Sequence, residues 1–149
     1  MVKAHPNNLK KGRGTLLNGK DPAGFWIRFG ALILDGVIIG IPLAQISYAI
    51  TGKADGYFTD IVSFLYGLLI PVFWNGYTVG KRICGIRIVK IRDGMPPSIG
   101  TMLLRNLAAG LLYALTFGIA LIVSAIMVGV REDKRSIHDF IAGTVVVRD

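Results

Sequence analysis

Apolar residues in this chain fall into three long blocks separated by short polar stretches, and the spacing of those blocks predicts a helical membrane protein. The first block runs from Ala23 to Ile50, the second from Ile61 to Tyr77 and the third from Ile99 to Val130. A helix needs roughly 20 mostly apolar residues to cross a bilayer. The first block exceeds that length and the second sits at its short end. The third is too long for one crossing: as a single helix it would measure about 48 Å against an apolar core of about 30 Å. Thr116, Phe117 and Gly118 offer a break within it. Two readings stay open, one membrane segment preceded by an interfacial piece, or a two-helix hairpin.

The intervening stretches read differently. Thr78 to Ser98 is no membrane segment: Ile86 to Ile91 is rich in β-branched residues and Asp93-Gly94 is a turn signal, so a short surface strand is expected. Thr144 to Val147 is a second β-branched run able to pair with it. The expected fold is an all-α polytopic membrane protein, a small bundle of three to four membrane segments with short cytoplasmic β-like segments. Residues 1–22 are expected to form a flexible basic tail and residues 23–149 the membrane domain. Phe25 and Trp26 suit an interfacial aromatic belt. Gly36 and Gly40 form a G-x-x-x-G pair suited to close helix packing, and Pro42 is an expected kink.

Composition supports this reading. Of 149 residues, 52% are hydrophobic and only 17% charged, against about 25% charged in soluble domains; mean hydropathy is +0.56. The net charge of +8 is placed unevenly. Lys3, Lys10, Lys11, Arg13 and Lys20 precede the first block, Lys81, Arg82, Arg87, Lys90 and Arg92 follow the second, and Arg131, Lys134, Arg135 and Arg148 follow the third. Between the first two blocks stands only Lys53, beside Asp55 and Asp60. That is the positive-inside pattern. It places the N-terminus in the cytoplasm and favours an even number of crossings. The basic residues are explained by anionic headgroups, with Lys81, Arg82 and Arg87 as candidate contacts, and no nucleic-acid partner is expected.

Candidate chemistry is sparse. The single Cys84 permits no intramolecular disulfide, and His5 and His138 do not form a metal-ligand cluster. No cleavable signal peptide is evident, so the first membrane segment is expected to serve as its own insertion signal. Gly76 to Arg82 misses a phosphate loop, having Asn75 where the first glycine is required and Arg82 where serine or threonine is required. No nucleophile–base pair is visible, so neither an enzyme nor a cofactor is expected.

The exception is a pair of charges inside the first block, Arg28 and Asp35. Charges near the centre of a membrane segment cost at least about 2.5–3.5 kcal/mol on insertion scales and are functional candidates by default. Seven residues apart, they share a helix face about 10 Å apart along the axis. The pair is either a structural charge site that holds the bundle together or a transport site, in which Asp35 is the candidate proton or cation site and Arg28 holds a counter-charge or tunes its pKa. Arg105 and Asn75 are candidate supporting residues. From composition alone, His138-Asp139 reads as a surface pair.

The series Gly24-Phe25-Trp26-Ile27-Arg28-Phe29, Leu34-Asp35, Thr78, Gly80-Lys81-Arg82, Gly85-Ile86-Arg87-Ile88-Val89, Arg105 and His138-Asp139-Phe140-Ile141-Ala142-Gly143-Thr144-Val145-Val146-Val147 resembles the RDD family of membrane proteins. That family is named for one arginine and two aspartates, matched here by Arg28, Asp35 and Asp139. The likeness spans Ala23 to Val147. It implies a small protein of the bacterial inner membrane and raises Asp139 to a candidate site residue, part of a cytoplasmic gate or latch. It supplies no reaction. The expected function is transport, or help in transport, of a small ion or solute. The alternative is a non-transporting scaffold or accessory subunit. Four short helices are few for a solute pathway, so a homo-oligomer or a membrane-protein partner is expected.

Overall fold

The computed structural model describes residues 20–131 and 133–149; most of the expected N-terminal tail lies outside them. The first apolar block is one helical stretch, Phe25–Thr51, 27 residues long and apolar enough to cross a membrane. It comprises α1 (Phe25–Asp35), a π-helical turn (Gly36–Gly40) and α2 (Ile41–Thr51). Then come α3 (Tyr57–Phe73), the short α4 (Val79–Ile83), β1 (Ile86–Lys90), α5 (Ile99–Leu115), α6 (Ile119–Val130), the short α7 (Ile137–Ala142) and β2 (Thr144–Arg148). Of these, α3, α5 and α6 are shorter apolar helices.

Local chemistry sets the boundaries. Gly52 closes α2 in the left-handed conformation, its N–H bonded to the Tyr48 carbonyl. Ser98 caps α5 and Thr78 caps α4, each side chain accepting from a backbone N–H three residues on. Phe117 and Gly118, both with positive φ, turn α5 into α6, so the third block is a helical hairpin. Ser136 and Asp139 form a reciprocal capping box at the start of α7, and Gly143 ends it.

One sequence expectation needs correction. Gly36 and Gly40 make no close helix contact: a Cβ built on either meets nothing within 4 Å. They lie instead in the π turn, where the Ile41 N–H reaches back to the Gly36 carbonyl. Pro42 supplies a reason. It has no N–H for the carbonyl four residues earlier, and a wide turn accommodates that loss. The irregularity therefore sits just before Pro42, and the helix continues through it.

The two strands pair antiparallel, Ile86 opposite Arg148, Ile88 opposite Val146 and Lys90 opposite Thr144. Both outer edges of this ribbon are occupied. The Ile88 N–H donates to Gly76 on one side; Ala23 and Arg148 bond with Val146 and Asp21 on the other. Gly76 lies so close that a Cβ there would stand 2.0 Å from the Ile88 carbonyl oxygen. One core joins ribbon and helices through Ala23, Ala31, Leu68, Ile86, Ile88, Met102 and Val146. The outward helix faces are apolar: Trp26 is 79% exposed and Ile122 63%. Contiguous exposed apolar surface marks a membrane or protein contact.

Candidate functional site: two charged contacts on one helix

Arg28 and Asp35 share a face of the long helix, and each binds a different short element, Arg28 the α7 segment and Asp35 the α4 segment. Arg28 reaches toward the start of its helix, the direction in which helical side chains lean. Its Nη1 donates to Asp139 Oδ2 at 2.8 Å, and its Nε to the Ala23 carbonyl at 3.0 Å. Arg28 is thus the counter-charge of Asp139, and no ion pair joins it to Asp35.

Asp139 is fully buried. Besides Arg28 it accepts from Arg105 Nη2 at 2.8 Å, the Ser136 N–H at 3.1 Å and the Thr144 hydroxyl at 3.3 Å. Four donors fill the lone-pair positions of a carboxylate. Burial alone would raise the acid, but the guanidinium groups of Arg105 and Arg28 outweigh it and hold the carboxyl well below its usual range. The surface-pair reading of His138-Asp139 is therefore overturned for Asp139. Arg135 adds a second tie from the same segment, donating from Nε to the Thr144 carbonyl and from Nη2 to the Asp139 carbonyl.

His138 also points inward. Its Nε2 lies 3.2 Å from Arg105 Nη2 and 3.0 Å from the Ser136 hydroxyl, and its Nδ1 lies 2.6 Å from the Tyr113 hydroxyl. Burial and the charge of Arg105 push the imidazole down to about 4. It is neutral at physiological pH and accepts from Arg105. Tyr113 in turn donates to Ser124, whose oxygen accepts the Ile137 N–H.

Asp35 sits in another set of contacts. It accepts from Gly80 N–H at 2.7 Å, the Thr78 hydroxyl at 2.6 Å and the Tyr66 hydroxyl at 2.9 Å. All three donors are uncharged. The Tyr66 oxygen also accepts the Val79 N–H. Gly80 is required by proximity: a Cβ would fall 2.1 Å from the Ala31 carbonyl oxygen and 2.9 Å from the Asp35 carboxyl carbon.

The remaining candidates fall in several places. Arg105 joins the Asp139 network. Asn75 does not reach it; it is exposed, at positive φ in the turn after α3. Lys81 is half-buried, and burial together with Arg105 lowers its amine to about 8. Arg82 is exposed, its guanidinium 4.6 Å from the Tyr77 ring centroid. Arg87 pairs with Asp149 at 3.4 Å. At the opposite end of the long helix, Ser47, Thr51, Lys53, Asp55, Tyr57 and Asp60 line an open pocket of about 690 Å³.

Sequence reasoning missed Tyr66, Thr78 and Gly80 as holders of Asp35, and Ser136, His138 and Thr144 around Asp139. Ser136-x-x-Asp139 carried a legible capping-box signal. Tyr66 carried none, being one polar-tipped aromatic on an apolar helix.

Comparison with known proteins adds a second line. The sequence pattern of the RDD family matches residues 22–143. The Bacillus subtilis (strain 168) protein "Uncharacterized protein YckC" is 55% identical over 132 residues, covering 87% of each chain. "Uncharacterized protein YxaI" of the same organism is 32% identical over 154 residues, covering 85% of this chain and 97% of its own. "Uncharacterized membrane protein YteJ", also from that organism, is 26% identical over 140 residues, covering 85% and 81%. No solved structure matches the chain.

Proposed function

The chain belongs to the RDD family of membrane proteins, and from that premise we propose a multi-pass protein of the bacterial cytoplasmic membrane that transports, or assists transport of, a small ion or solute. The N-terminus lies inside. Four crossings, Phe25–Thr51, α3, α5 and α6, keep both termini and the ribbon on the basic, cytoplasmic side. The loop carrying Lys53 lies outside.

One observation carries the transport reading: Asp35, within the long apolar helix, accepts only from neutral donors. No cation of the described residues stands within 4.0 Å of its carboxylate, because Arg28 is committed to Asp139. An unpaired carboxylate in a membrane helix calls for compensation, which a proton or small cation supplies. The Tyr66 and Thr78 hydroxyls can rotate to present oxygen to it. Arg28, Asp139 and Arg105 form a fixed latch beneath, and the polar pocket near Lys53 is an outer vestibule. Four short helices favour a homo-oligomer. No enzymatic role, cofactor or nucleic-acid partner belongs to this reading. Arg82 and Arg87 face anionic headgroups.

The alternative, a non-transporting scaffold or accessory subunit, draws on the saturation of Asp139 by four donors, which suits a static brace. Reconstitution into liposomes with ion-flux and pH-jump readouts separates the two. Under the transport reading, Asp35→Asn inserts and folds but loses pH-dependent flux. Unaltered flux in that variant refutes the proposed site. A wild type that carries no flux and co-purifies with a stoichiometric membrane partner supports the scaffold instead.

A further inference from the structure

One polar side chain on α2 is not used by the fold. Of the 11 residues of this helix only Leu43 and Ser47 are buried. Gln45 stands on the outward side, exposed, and its amide has no hydrogen-bond partner within 3.5 Å among the described residues. With Ile41, Ala44, Tyr48 and Ala54 it lines an open groove of about 340 Å³. Ile41, Gln45 and Tyr48 follow one another at steps of four and three, so they form one stripe along the helix.

In the orientation proposed above, that stripe faces the bilayer. Gln45 precedes the end of α2 at Thr51 by six residues, about 9 Å along the axis. Helical side chains lean toward the N-terminal end of their helix, which here is the cytoplasmic end. The amide therefore leans into the apolar layer, away from the nearer, outer surface. An amide without a partner is costly in hydrocarbon. Acyl chains offer it no hydrogen bond, whereas a neighbouring helix can. An amide both donates and accepts, so a second amide matches it fully. A copy of this chain, related by a two-fold axis along the membrane normal, brings one to the same depth on the same face. Ala44, beside Gln45, is small enough to let two helices approach closely.

We propose that this groove on α2 docks a second copy of the chain, with the two Gln45 amides hydrogen-bonded across the two-fold axis. The inference rests on the multi-pass orientation proposed above and gives its homo-oligomer a specific contact. It does not depend on transport or on Asp35, which belongs to α1.

The test uses the full-length protein in a Cys84→Ser background, with donor or acceptor dyes on a cysteine placed by Lys10→Cys. The protein is reconstituted into phosphatidylcholine–phosphatidylglycerol liposomes, and energy transfer is followed as lipid dilutes it. Alkaline extraction first checks that the protein is integral; its release would refute the membrane orientation itself as well as this contact. Wild type should dissociate along a single monomer–dimer curve. Gln45→Leu keeps an apolar side chain and removes the amide. It should shift the curve about tenfold toward monomer, the scale of a hydrogen bond within a bilayer. Ile122→Ala, on the exposed side of α6, should leave the curve in place. An integral wild type that is monomeric at every dilution overturns the proposal and leaves the groove to lipid. A dimer that Gln45→Leu does not weaken overturns it too, and puts the homo-oligomer on another face.

Discussion

His138 is held neutral among cations, and that has a pH consequence. Its folded value near 4 lies below the ordinary 6.5. Between those values the unfolded chain binds more protons, so this residue makes stability rise with pH from about 4 to about 6.5. Asp139 behaves differently. Its carboxyl is held below the usual range, so its contribution is present above the unfolded value of 3.8 and is lost only as pH falls through the lower folded value. Thermal unfolding in detergent across pH 4–7 should therefore show a rising limb that His138→Gln flattens. An unchanged limb in that variant would mean another group titrates there. The residue scale was only partly legible in sequence. Arg28 and Asp35 stood out because charges are rare in apolar blocks. Tyr66 and Thr78 did not, because a neutral hydroxyl becomes a carboxylate's partner only when chain segments 31 and 43 residues apart are brought together.

At the scale of elements, α4 is held against α1 by close approach as much as by hydrogen bonds. Gly80→Ala places a methyl 2.1 Å from the Ala31 carbonyl oxygen, so α4 must move and Asp35 loses the Gly80 N–H. Overpacking of this kind costs about 1–3 kcal/mol, and faster hydrogen exchange over Val79–Ile83 should report it. Gly76→Ala is expected to be at least as damaging, because a positive φ adds to a backbone clash with Ile88; exchange at Ile88 is its readout. The β-branched runs forecast both strands; Thr116 to Gly118 offered a break but left the hairpin as one of two open readings, which the positive φ at Phe117 and Gly118 decides. The G-x-x-x-G spacing misled. A small-residue pair records that close packing is allowed, and here Pro42 made the wide turn the stronger demand.

For the whole molecule, the sequence pattern identified one long apolar helix and the charged face it carries. It left open how the ends of the chain meet. Arg28 and Asp139 are 111 residues apart, and no periodicity connects them; only the family resemblance joined them in advance. Folded, the long helix grips the segment leading into β1 through Asp35 and the segment leading into β2 through Arg28, and the ribbon closes the loop between them. Single-cysteine labelling in a Cys84→Ser background tests the orientation: positions 10, 87 and 135 should be protected from an outside reagent and position 53 reactive. Outside labelling at position 135 would require an odd number of crossings.

The central claim is that the charged helix face braces the two ends of the domain, and the Arg28–Asp139 contact is its most direct expression. A double-mutant cycle with Arg28→Gln and Asp139→Asn, read by thermal or denaturant unfolding in detergent, measures it. Each single change should destabilise by about 3–5 kcal/mol, because it strands a buried partner. The double variant should cost much less than their sum, giving a coupling on the order of 1–3 kcal/mol. Additive single effects, or singles that cost no more than the roughly 0–1 kcal/mol of a surface pair, would contradict the account.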